Sequence, residues 1–229
     1  MIAVGCLDLF LMTMRRWSGI AGVVFVVLAI LSPIVRGSVP DTSKSNAVEK
    51  FANFYGVKSH NSHALVAAVL GFIGLFFFTW FLGGLWSALR EAEGRTSAPT
   101  IIVAIGGAVF VAMGFAFHTF ENIQGITIHF DKGYRASGQF NPGTAIVLSE
   151  LATALRMGAM LGVGAASAAA GVVIRRTRVF PGWLAWVGFV ITVLALPVIP
   201  PLSVISSVFF ALWTIAISVV FLTRPEPAT

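Results

Sequence analysis

Residues 63–89 read HALVAAVLGFIGLFFFTWFLGGLWSAL, 27 positions without one Asp, Glu, Lys or Arg. A helix rises about 1.5 Å per residue and the hydrocarbon core of a bilayer is about 30 Å thick, so roughly 20 such residues span it. This stretch is long enough to cross a membrane. Five further apolar runs accompany it, at 17–35, 100–120, 144–174, 183–199 and 202–222. All are continuously apolar, whereas membrane β-barrel strands alternate over about 10 residues. The sequence therefore predicts an all-α, polytopic membrane bundle of six transmembrane helices.

The remaining composition agrees. Of 229 residues 57% are hydrophobic and 10% charged, too few charges to keep a folded globule in water. Six spans consume nearly the whole chain and leave no soluble domain. The net charge of +6 has no Lys/Arg stripe or aromatic RNA-binding motif with it, which argues against nucleic acid and leaves the lipid bilayer as the partner that composition identifies. The single cysteine, Cys6, excludes an internal disulfide and any multi-cysteine metal or redox motif.

Basic residues at the span ends set an orientation. With the N-terminus inside, Arg15, Arg16, Arg90, Arg95, Arg175, Arg176, Arg178 and Arg224 are cytoplasmic and clustered against the membrane. Arg36, Lys44, Lys50, Lys58, Lys132 and Arg135 fall outside, most of them spread along a long loop where each weighs less. The expected topology is N-in, C-in, with 1–16 a cytoplasmic segment, 17–222 the bundle and 223–229 a cytoplasmic tail. Met12 and Met14 precede Arg15-Arg16, so 1–11 reads as an extension ahead of a natural start. No small-x-small cleavage site follows 17–35, which reads as a retained span.

Both long connections lie outside. In the first, Val48, Phe51, Phe54 and Tyr55 recur at helical spacing opposite Asn46, Glu49 and Lys50, predicting a helix over 45–57 that lies in the membrane interface. In the second, 126–130 alternates before Asp131-Lys132-Gly133, the pattern of a small hairpin, with an irregular loop as the alternative.

Three stretches carry a resemblance. Val48-Glu49-Lys50-Phe51-Ala52-Asn53-Phe54-Tyr55 before a His-bearing span, the segment 80–94 (WFLGGLWSALREAEG), and Pro181-Gly182-Trp183-Leu184-Ala185-Trp186-Val187-Gly188 opening the fifth span are similar to a bacterial group of six-span membrane proteins of unknown function, abundant in actinobacteria. The resemblance extends from Arg15 onward. It implies an architecture and a multi-pass location in a bacterial cytoplasmic membrane, and it carries no activity to any residue. The second outer loop is longer than the group's usual form.

Ionisable side chains inside spans are costly and mark function by default, which singles out His118, Glu150 and Arg156. Arg156 lies about twelve residues into the fourth run, roughly 18 Å from its start and near mid-membrane. It needs a carboxylate or several carbonyls within the bundle, and Glu121 is the expected carboxylate. At 100° per residue, Glu150 shares a face with Ala154, Gly158, Gly162 and Ala166; His118 and Glu121 share one with Gly107 and Gly114; His60 and His63 share one with Ala67, Gly71 and Gly74. Small residues let helix backbones approach, so these faces would meet in an outward-facing polar pocket between spans two, three and four, with His129 and Asp131 above it.

Three functions fit. The leading one is a binding or structural bundle without catalysis or cofactor. A membrane-embedded metal-dependent hydrolase would hold a divalent metal on His60, His63, His118, Glu121 and Glu150. A small transporter would route an anion or proton past Arg156 and Glu150. No Gly-x-Ser-x-Gly, Walker A or Rossmann fingerprint occurs. The sequence names no protein partner, and the Gly/Ala stripes leave homo-oligomerisation open. With Cys6 replaced by Ser, a cysteine at Gly94 should resist an impermeant thiol reagent on intact cells and one at Ser137 should react; the reverse pattern inverts the topology.

Overall fold

The computed structural model describes residues 2–94, 97–131, 133–134, 139–196 and 200–223, and among them all regular structure is helical. The helices are α1 (Ile2–Arg36), α2 (Ala47–Gly56), α3 (Lys58–Glu93), α4 (Ala98–Phe130), α5 (Pro142–Thr177), α6 (Gly182–Ala195) and α7 (Pro200–Thr223). Among the described residues five segments are long and apolar enough to cross a membrane: Met14–Arg36 of α1, all of α3, α4 and α5, and Val204–Thr223 of α7. α6 is as apolar but has 14 residues. The last part of the run 183–199, at 197–199, falls outside the described residues.

Two helices stop on glycine. Gly37 at φ +75° and Gly94 at φ +66° end α1 and α3 in the left-handed region, where a side chain would be strained. The Gly37 N–H donates to Pro33 O at 3.1 Å and the Gly94 N–H to Glu91 O at 3.1 Å, capping carbonyls the helices leave open.

The hairpin expected at 126–130 is not formed, because α4 continues through it to Phe130. Five alternating residues are too few to override a helix already running. Thr127 Oγ1 bonds back to Ile123 O at 2.9 Å and the Asp131 N–H reaches Thr127 O at 2.8 Å. Lys132 and 135–138 lie outside the described residues.

α2 forms within the stretch expected to be helical, but its apolar face is covered by protein. Phe51, Phe54 and Tyr55 are buried with Ala145 of α5, and Ile128, Phe140 and Ile146 pack around them. Val48, expected on the same face, is 57% exposed. It sits at the edge of the arc that Phe54, Phe51 and Tyr55 define around the helix.

Packing divides the chain into two units: Met1–Val26, Phe76–Val111 and Met157–Thr229 form one, Val27–Leu75 and Ala112–Arg156 the other. The first has an aromatic core. Phe78 lies 4.8 Å from both Phe25 and Phe110, and Phe210 lies 5.5 Å from Phe110 and stacks on Trp213. Trp213 Nε1 donates to Leu184 O at 2.9 Å, which satisfies its one polar atom. Of the run Phe76-Phe77-Phe78, Phe78 is buried and Phe76 exposed, as a helix turning 100° per residue requires.

Small residues set the close crossings here. A Cβ on Gly162 would lie 2.7 Å from Gly106 O and 3.0 Å from Phe110 N, and one on Gly106 would lie 2.6 Å from Gly162 O. α4 and α5 thus touch backbone to backbone. Gly83 in α3 has nothing within 4 Å of the same position. Gly162→Ala should therefore destabilise by about 1–3 kcal/mol, whereas Gly83→Ala should be neutral or stabilise by up to about 1 kcal/mol. Thermal melts in detergent would show opposite shifts, and equal shifts would contradict the backbone contact.

Candidate functional site

The second unit holds the buried polar groups that most need explaining. Arg36 ends α1 with 4% exposure, so its permanent charge must be met by protein. Nη1 donates to Asn122 Oδ1, and Nη2 donates to the main-chain oxygen of Glu121 at 2.6 Å. Asn122 is fully buried and is aimed by its own bond, from Nδ2 to His118 O at 2.8 Å, one turn back along α4. The Arg36 charge also acts on the phenol of buried Tyr55. One guanidinium therefore ties α1 to α4. A bond at 2.9 Å from Ser32 Oγ to Ala67 O adds α3 to the set.

Arg36 thus lies against the main chain of Glu121, and Arg156 of α5 belongs to the same unit. No ion pair joins either arginine to the Glu121 carboxyl among the described residues, and the Nε–H of each arginine is buried without an acceptor. His118 lies one turn before Asn122. Its ring fills the space over Gly71 of α3, where any Cβ would collide with it, between Phe117 at 4.9 Å and Phe72 at 6.2 Å. His118 Nδ1 and Gln124 Oε1 are likewise buried and unpartnered. Arg36 and Arg156 thus bring to this unit two guanidinium groups with a buried Nε–H and no acceptor, and guanidinium N–H groups are donors suited to carboxylate or phosphate oxygens.

Of the intramembrane polar residues expected to matter, His118, Glu121 and Arg156 belong to this cluster. Glu150 does not: it is exposed and accepts from Thr42 Oγ1 of the connection before α2. His60 places Nδ1 2.9 Å from Phe54 O and stacks on the Phe54 ring at 4.4 Å. His63 is exposed, and His129 Nδ1 lies 3.3 Å from Ser62 Oγ. Asp131 accepts from the N–H groups of Gly133 and Tyr134 in a local turn. The expected metal set of His60, His63, His118, Glu121 and Glu150 is accordingly not gathered, and among the described residues no three His, Cys, Asp or Glu side chains are placed to share an ion. The helix faces do meet where His118 packs on Gly71, but the residues nearer the helix ends are drawn to other partners.

Arg36, Tyr55 and Asn122 are the members that sequence reasoning missed. Arg36 reads as a topology charge at a span end, and Asn122 reads as loop when the third span stops at 120. The available signal was the spacing of His118, Glu121, Asn122 and Gly125, one helical face that continues past the apolar run.

No family model matches this chain, and neither does any curated protein or solved structure.

Burial pushes the Tyr55 phenol above its ordinary value, with the Arg36 charge opposing the shift. The folded state then holds a proton that the unfolded state releases near pH 10. The stability this gives is full below that pH and is lost as pH rises through the raised value. With the other tyrosine removed by Tyr134→Phe, absorbance titration of the remaining phenol should give a midpoint above 10 in folded protein and near 10 in denaturant. Identical midpoints would remove the burial argument.

Proposed function

We propose that the protein is a six-span bundle of a bacterial cytoplasmic membrane that binds a small organic anion at the Glu121 cluster and performs no catalysis. The observation carrying this reading is that Arg36 and Arg156 each have a buried Nε–H that meets no acceptor, with Arg36 held on the main chain of Glu121. A carboxylate or phosphate group offers the acceptors these N–H groups lack and balances the second positive charge. Arg36 is itself buried, and a buried charge with no carboxylate partner costs several kcal/mol, which a bound anion would offset. Ionisable groups at this depth in apolar helices are in general functional.

In this reading α6 is the sixth span, about 21 Å long and short enough to require local thinning of the bilayer. The clustered arginines at the ends of α3 and α5 support an N-in, C-in orientation, which puts the Glu121 cluster toward the outer face. The motif resemblance supports the bacterial setting.

The probes are succinate, benzoate and inorganic phosphate added to protein in detergent. At about 100 times its Kd an anion adds about 2.7 kcal/mol, a rise in Tm of roughly 5–10 °C. At least one probe should give this rise, Arg156→Gln should abolish it, and Glu150→Gln should keep it. No shift with any probe, or a shift that survives Arg156→Gln, overturns the reading. Uptake of the same anion into proteoliposomes would extend binding to transport.

A further inference from the structure

The segment joining α5 to α6 lines a groove of about 730 Å³, bounded by Ile174, Arg175, Arg178, Phe180, Trp183 and Trp186 with Pro181 and Gly182. We propose that this groove binds the phosphate headgroup of an anionic phospholipid.

The backbone brings the two arginines to one groove. α5 ends at Thr177, and Arg178 adopts φ +54°, a left-handed conformation unusual for a residue with a side chain. Its N–H closes the helix on Ile174 O at 2.8 Å. The chain reverses there, so Arg175 from the last helical turn and Arg178 from beyond it line the same space. Arg175 is further oriented by lying 5.0 Å over the Trp186 ring. Stacking leaves the edge of the guanidinium, with its fork of N–H donors, free for a phosphate.

Among the described residues these arginines have no carboxylate partner. The chain from 157 to 223 contains no Asp or Glu, and among the described residues no ion pair reaches Arg175, Arg176 or Arg178. In the same unit, Glu91 is paired with Arg15, and Glu93 accepts from Ser97 and Thr100. Three exposed arginines within four residues therefore keep their full attraction for an external anion.

The surroundings favour lipid over a free anion. The groove floor is apolar, from buried Ile174 and Phe180, and its rim is Trp183 and Trp186, each more than half exposed. Trp186, Val190 and Val193 continue as an exposed stripe at helical spacing along α6, a path for an acyl chain leading away from the headgroup. A phosphate in solution has no use for such a stripe. Arg90 over Trp86 at 5.3 Å is a similar stacked pair outside this groove and serves as the internal control.

The test is native mass spectrometry of delipidated full-length protein, titrated with phosphatidylglycerol or phosphatidylcholine. Wild type should retain phosphatidylglycerol preferentially. Arg175→Gln with Arg178→Gln should weaken it by about 25-fold, roughly fivefold per arginine, with phosphatidylcholine binding unchanged, and Arg90→Gln should leave both unchanged. Should the double variant fail to fold, Arg175→Gln alone should show the fivefold loss. Equal retention of the two lipids, wild-type affinity in the arginine variants, or displacement of phosphatidylglycerol by excess inorganic phosphate would each overturn the proposal, the last by marking a free-anion site.

Discussion

Hydrocarbon offers no hydrogen-bond partner to a peptide group, and that constraint governs this protein before any side chain is considered. Each long apolar run satisfies its own backbone as a helix, so the ends are where further partners are needed. Gly37 and Gly94 close α1 and α3 by turning left-handed, and Arg178 does the same after α5 at some conformational cost. Association of such helices gains little from the hydrophobic effect in lipid and depends on contact area, hence the backbone approach of Gly106 to Gly162 and the aromatic core around Phe78.

Against that background the polar groups of the second unit stand out. Arg36 cannot give up its proton, so the helices around it must supply acceptors, and they do so from a side-chain amide and a main-chain carbonyl. The same bonds position α4 against α1. What they leave over includes the Nε–H of Arg36, the Nε–H of Arg156 and Nδ1 of His118, buried without partners. The side chains that join these helices are thus also the ones on which the proposed anion binding rests.

The arginines at the end of α5 solve a different problem. They are exposed and, among the described residues, in no ion pair, and water or a headgroup can satisfy them at little cost, whereas buried Arg36 has no such recourse. Burial, more than charge, separates the groups expected to be structurally coupled from those expected to meet lipid.

The sequence by itself determined the fold class and most helix positions, because a 20-residue apolar run has one way to satisfy its backbone in a membrane. It also placed α2 and marked His118, Glu121 and Arg156 as residues needing partners. It misjudged 126–130, where five residues carry too little periodicity to distinguish strand from helix, and it put Val48 on the wrong side of a boundary that only the neighbouring helices draw. Which polar residues share a site was decided by tertiary structure alone. Arg36 and Asn122 are 86 positions apart and meet because α1 and α4 end side by side, while Glu150 and His60, on equally promising faces, are drawn to Thr42 and Phe54. Periodicity fixes the face of a residue on its own helix, but the rotation and depth of one helix against another depend on the sum of many small packing contacts, and no single helix contains that information.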